Sequence, residues 1–224
     1  MIRQPAKVVL MLIKIMIVGG VIGGGNFDGN TIEYSQAGAA ESADIYISLS
    51  VAGGFPDIQE MSLAGREASR SHAYKSVGGG FKVGLFPQVT RRVLGIELEY
   101  FGTTGRLSAA NSSGAEGNAG LTVLNSMFNI VFRQPTGEFR PYGGFGVGYS
   151  GAILHGADFP GRSNQDFDST SSFAYQFLGG LQWEVSERAF LFAEYKHLVT
   201  DLHWKAVSLD YRANYVLAGV GLNF

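Results

Sequence analysis

The stretch Asn214-Tyr215-Val216-Leu217-Ala218-Gly219-Val220-Gly221-Leu222-Asn223-Phe224 is apolar at every second position at its end. Successive side chains of a strand point to opposite faces, so Val216, Ala218, Val220, Leu222 and Phe224 line one side. The segment is too short for a spanning helix, which needs about 20 apolar residues, but long enough for a tilted strand, which needs about 9–11. Carried upward, the same parity reaches Asn214, Arg212 and Asp210. The strand must therefore leave the apolar layer near Asn214 or carry a bulge there.

A single strand leaves its backbone groups unpaired, so partners are required. Working back along the chain, the two-residue period recurs in 189–197, 172–185, 139–153, 121–133, 92–102, 76–86 and 44–55. With 207–224 this makes eight segments, and an even number suits a closed up-and-down barrel. Residues 139–153 set Phe145, Val147 and Tyr149 against Gly144, Gly146, Gly148 and Ser150. Residues 44–55 set Ile45, Ile47, Leu49 and Val51 against Tyr46, Ser48, Ser50 and Ala52.

The connections alternate as well. Short links are expected at 88–91, 134–138 and 186–188, and long polar ones at 56–75, 103–120, 154–171 and 198–206. One rim trimmed and the other carrying loops is the pattern of outer-membrane barrels. A soluble sandwich has no reason to alternate its links in this way.

The two faces also differ in kind. One carries Phe, Leu, Val, Ile, Tyr and Trp in nearly every strand. The other mixes small residues with Lys82, Glu97, Glu99, Arg140, Gln176, Gln182, Glu184, Glu194 and Lys196. Turned inside out, such a barrel would expose large apolar side chains to water and aggregate. Lipid outside and polar groups inside is the better fit. Eight strands enclose a lumen only wide enough for side chains, so these charges must pair across it.

Composition agrees. The chain has 224 residues with 46% hydrophobic, enough for one substantial domain. Its 17 Lys+Arg against 19 Asp+Glu offer no basic surface for nucleic acid. The absence of Cys excludes disulfides, Fe–S clusters and thiolate zinc. Residues 1–43 read as a signal segment with a polar spacer. Arg3 and Lys7 precede an apolar run over 8–22 interrupted by Lys14; Ala37-Gly38-Ala39 or Gly25 offers a cleavage point, and a true start at Met11 is a third option. Residues 44–224 are the barrel. The expected fold is all-β: an eight-stranded antiparallel up-and-down transmembrane β-barrel behind an N-terminal signal segment.

The closing segment with its final aromatic, the run Arg140-Pro141-Tyr142-Gly143-Gly144-Phe145-Gly146-Val147-Gly148-Tyr149, and Glu194-Tyr195-Lys196-His197 together resemble the small outer-membrane barrels. That family includes outer-membrane proteins A and X and the opacity proteins. The resemblance implies location in the bacterial outer membrane, contact with its lipid, and recognition of Val216, Ala218, Val220, Leu222 and Phe224 by the barrel assembly machinery. No peptidoglycan-binding domain is expected after the barrel.

Sharper readings fail on the residues. The glycines near Gly144 lack the strand-to-helix switch that a phosphate loop needs. His72, His155, His197 and His203 fall in expected loops or strand ends with no ligand spacing, so no metal or cofactor is expected. A lipid deacylase would need His, Ser and an acid together at the outer rim. Glu194 and His197 have opposite parity, and no serine adjoins His197. The expectation is a non-enzymatic structural and surface-interaction barrel with four polar outer loops and no wide pore. A lipid A-modifying enzyme or a narrow solute channel is the alternative. Loop contacts to an unknown extracellular ligand are placed at Arg66, Arg70, Asp158, Arg162, Asp166 and Asp168. Tyr100, Phe101, Tyr149, Phe173, Tyr175, Tyr195, Trp204 and Tyr211 are expected to form a membrane-interface girdle.

Overall fold

A computed structural model describes residues 43–63, 66–67, 70–110, 116–158, 167–204 and 207–224. The signal segment expected over residues 1–43 lies outside the described residues except for Ala43. The strands are β1 (Ala43–Leu63), β2 (Arg66–Glu67), β3 (Arg70–Ala73), β4 (Ser76–Pro87), β5 (Leu94–Ala110), β6 (Glu116–Arg133), β7 (Phe139–Asp158), β8 (Phe167–Ser186), β9 (Ala189–His203) and β10 (Val207–Asn223). Eight of them run in sequence order, each antiparallel to its neighbour, and β10 pairs with β1 to close the barrel. Closure leaves the main ladder without an edge, as a chain in lipid requires. The two short strands, β2 and β3, pair with β1 and β5 beside the main ladder.

The short connections behave as their residues predict. Pro87, which cannot donate to the ladder, ends β4. Arg91 and Arg92 then adopt left-handed conformations with φ of 53° and 60°, so β5 starts at Leu94 and not at Arg92 as the alternation suggested. Gly137, at φ 107°, makes the β6–β7 turn. These connections form the short-turn rim, the one that faces the periplasm in outer-membrane barrels.

The larger difference is at the other rim. β5, β6, β7 and β8 continue past the expected segments, pairing as far as Ala110↔Glu116 and His155↔Phe167. Much of what reads as loop is therefore strand. Gly, Ser, Thr and Asn weaken the two-residue hydrophobic signal there because the outer face of the extension lies beyond the apolar belt. Their backbones can still complete the ladder.

β10 pairs with β9 in unbroken register from Ser208 to Leu222, while the irregularity against β1 falls between Ile58 and Met61 of β1. The last strand thus carries no bulge at Asn214; it leaves the apolar band. Tyr195, at the band's edge, donates to Asn214 Oδ1 at 2.7 Å. Arg212 pairs with Asp210 at 3.3 Å beyond it, which holds the Arg212 guanidinium above its ordinary pKa.

Outward-facing apolar residues sit in a belt. From Phe139 to Tyr149 on β7, and from Phe173 to Trp183 on β8, the lipid-facing run is about eleven residues. Tyr100, Tyr149, Phe173, Tyr175 and Tyr195 are exposed on the outside, as a girdle requires. Phe101, Trp204 and Tyr211 are buried and do not belong to it. Phe101 has the parity of Glu97 and Glu99, Trp204 that of Leu202, and Tyr211 that of Ala213, all of which face inward.

Candidate functional site

The lumen is layered. At mid-height, side chains from seven strands converge. Lys82 of β4 lies 2.5 Å from Glu194 Oε2 on β9 and 3.9 Å from Glu97 and Glu99 on β5. Lys196 of β9 pairs with Glu99, and with Glu194 at 3.1 Å. Burying isolated charges is prohibitive, so each is surrounded by partners. Tyr142 of β7 donates to Glu194 at 2.9 Å, and Tyr46 of β1 donates to Glu97. Asn129 of β6 and Gln176 of β8 both donate to Glu99 Oε2 at 3.0 Å, and Gln176 donates to Asn129 Oδ1 at 2.7 Å. Lys82 also stands 5.3 Å from the Phe192 ring centre and Lys196 4.9 Å from that of Phe101, where the ring faces attract cations.

Small residues make this density possible. A Cβ on Gly84 would stand 2.2 Å from Tyr46 Cε1, and one on Gly146 would stand 2.0 Å from Asn129 Oδ1. Both glycines let a neighbouring strand's long side chain cross the backbone.

Of the nine interior polar residues expected, six meet in this layer: Lys82, Glu97, Glu99, Gln176, Glu194 and Lys196. The other three lie at the periplasmic rim. There Arg140 pairs with Glu184 at 3.0 Å, and Gln182 donates to Glu184 at 2.6 Å. Arg133 joins this rim by pairing with Asp44 at 2.9 Å while its guanidinium covers Phe86 at 3.9 Å. Tyr46, Asn129, Tyr142, Arg133 and Asp44 are absent from the sequence-derived set. Asn129 and Tyr46 were legible by parity, since they share the face of Asn125 and Ser48. Arg133 and Asp44 share those same faces at the ends of 121–133 and 44–55, but parity does not show that they pair with each other across the lumen.

The inward face is not uniformly polar, contrary to the expectation from alternation. Below the charge layer pack Tyr46, Phe86, Val131, Leu178, Phe190 and Phe192. Above it pack Phe101, Met127, Leu198, Tyr211, Tyr215, Leu217 and others. A lumen only wide enough for side chains must be filled by them, and apolar side chains fill it without needing partners. The inner cavity lined by Lys82, Glu97, Tyr142 and Phe192 measures only about 20 Å³.

The expected loop-contact residues fare differently. Arg66 and Arg70 fall in β2 and β3, Asp158 ends β7, and Asp168 lies in β8, so these four are on strands. The Asp168 carbonyl accepts from Trp204 Nε1 at 3.3 Å. Arg162 and Asp166 lie outside the described residues. Val216, Ala218, Val220 and Leu222 line the outside of β10, and Phe224 is exposed. The histidines also sit on strands: His72 in β3, and His155, His197 and His203 in β7 and β9. His203 Nδ1 meets Ser208 Oγ at 2.5 Å across the β9–β10 pair.

A closed, lipid-sheathed eight-stranded barrel with a charge-paired lumen defines a small outer-membrane barrel protein. Residues 33–224 match the family model described as outer membrane protein beta-barrel domain, and the chain belongs to that family of the Gram-negative outer membrane. Among solved structures it is similar to the outer membrane protein OprG of Pseudomonas aeruginosa, at 15% identity and a TM-score of 0.57, covering 82% of this chain and 96% of that one. It is likewise similar to Neisserial surface protein A, at 17% identity and a TM-score of 0.51, covering 80% and 97%. At such identities the likeness concerns fold alone. Comparison with curated proteins finds no match.

Proposed function

We propose that the protein is a structural and surface-interaction barrel that presents four connections outside the cell and conducts through no wide pore. The observation that carries this is the mid-lumen layer, in which seven strands are tied by Lys82, Lys196 and their three carboxylates between two apolar layers. Such a lumen stiffens the wall and leaves no continuous water path. In planar bilayers the protein is expected to give no long-lived open level of porin size; a steady one in the wild type would overturn the reading. The outer strand extensions and connections, including Arg66, Arg70, Asp158, Arg162, Asp166 and Asp168, are the proposed contact surface. Val216, Ala218, Val220, Leu222 and Phe224 are the proposed element read by the assembly machinery.

One contact suits the lipid-modifying alternative: the outward-facing His203–Ser208 pair. A serine nucleophile also needs its base oriented by an acid. Among the described residues no carboxylate hydrogen-bonds His203, so the passive reading is preferred. Mass analysis of lipid A incubated with the refolded protein tests this, and a deacylated product lost in Ser208→Ala would reverse the preference.

A further inference from the structure

The outer wall of the barrel carries a second constellation that the lumen does not use. On β5 the inward parity belongs to Glu97, Glu99, Phe101, Thr103 and Leu107, so Thr104 and Arg106 point outward. Beside them a groove of about 890 Å³ is lined by Lys75, Thr104, Arg106, Asn118, Gly120 and His155, among others. Its floor is organised. Thr104 Oγ1 and Thr122 Oγ1 are 3.1 Å apart, and Thr122 Oγ1 meets His155 Nε2 at 3.2 Å. The imidazole reaches across β6 because position 120 is glycine; a Cβ there would stand 2.1 Å from His155 Cε1.

The height of this groove is informative. Tyr100, Ser126, Tyr149 and Phe173 form one cross-strand row at the girdle. Moving outward, the next lipid-facing position on β6 is Leu124, still apolar, and then comes the Thr104–Thr122 row. Beyond it lies the Arg106–Gly120–His155 row. The wall thus changes from apolar to hydrogen-bonding and cationic where acyl chains give way to headgroups. Among the described residues no Asp or Glu lines the groove. Arg106 and Lys75 are exposed, and the Lys75 ammonium rests 5.6 Å from the Phe55 ring centre on the lipid-facing side.

We propose that this groove docks the phosphate of an outer-leaflet lipid. Arg106 supplies a planar fork matched to a phosphate, Lys75 a second positive charge, and Thr104 and Asn118 neutral donors. A lipid phosphate is favoured over a soluble one because the groove opens sideways, directly above the acyl-facing belt. Such a contact would anchor the barrel at a fixed depth and give this side of the wall a preferred lipid neighbour.

The test uses the full barrel refolded into phosphatidylcholine nanodiscs doped with either diphosphorylated or fully dephosphorylated lipid A. Lipid retained after release into detergent is counted by native mass spectrometry. Wild type is expected to retain the diphosphorylated form selectively. Arg106→Gln with Lys75→Gln should lower that retention about tenfold or more, the scale of lost charge-assisted hydrogen bonds. Gly120→Ala should lower it with no change in charge, and Arg188→Gln at the opposite rim should not. Each variant's fold is checked by its heat-modifiable migration. Equal retention of both lipids, or unchanged retention in the Arg106/Lys75 variant, would overturn the proposal. Displacement of the lipid by inorganic phosphate would assign the groove to a soluble anion and overturn it equally.

Discussion

Lys196 enters the lumen with its ammonium between Glu99 and Glu194, fully removed from solvent. Its replacement by Met would leave those carboxylates facing each other with Lys82 alone. Breaking one partner of a buried ionic group costs roughly 3–5 kcal/mol. Urea unfolding of Lys196→Met in lipid vesicles should show a loss of that size, whereas Arg212→Ala, outside the belt, should leave the midpoint unchanged. Gly84 is a second residue-scale test. Gly84→Ala forces a Cβ against the Tyr46 ring, and such overpacking costs about 1–3 kcal/mol. The penalty should shrink in a Tyr46→Leu background, since the ring is what the methyl meets. Equal penalties in both backgrounds would refute that account.

A strand such as β7 is read by depth. Phe145 lies within the belt and Ile153 beyond Tyr149, both facing outward. An arginine facing mid-bilayer costs about 2–4 kcal/mol, against about 0–1 near the interface. Phe145→Arg should therefore destabilise the refolded barrel far more than Ile153→Arg, and a reversed order would displace the belt assigned here. For β10, we expect deletion of Phe224 to lower the amount inserted in cells while the protein refolded in detergent keeps its heat-modifiable migration. Normal insertion in cells would argue against its role as an assembly signal. The element scale is also where the sequence was most readable, because a strand with lipid on one face and a packed lumen on the other must alternate. Where β5 to β8 extend past the belt, the inward face still packs, through Leu107, Ala119 and Leu154, but no acyl layer demands an apolar outer face. The alternation fades there, and the pattern of these residues is that of a loop.

For the molecule as a whole, the outward surface sets the solvent. Val51 and Val77 are 70% and 73% exposed, beside Leu49, Phe145 and Phe177. An apolar belt of this extent should make the protein aggregate in buffer without detergent. In detergent it should fold to a form whose electrophoretic mobility changes on boiling. A monomer stable in plain buffer would contradict a lipid-facing wall.

The sequence by itself determined the count of barrel strands, the pairing sense and the lipid-facing parity, and it marked Lys82, Glu97, Glu99, Glu194 and Lys196 as inward-facing. Each follows from local alternation and connection length, which a one-dimensional pattern records. Only the tertiary structure decided how the lumen is divided. Lys82, Glu99, Asn129, Gln176 and Lys196 come from five strands, and which of them meet depends on the stagger between strands, which no segment encodes alone. The same stagger sends Glu184 and Arg140 to the periplasmic rim and lets Phe86, Phe101 and Tyr215 fill an interior that alternation had marked as polar. It also sets Arg106, Thr122 and His155 side by side on the outer wall.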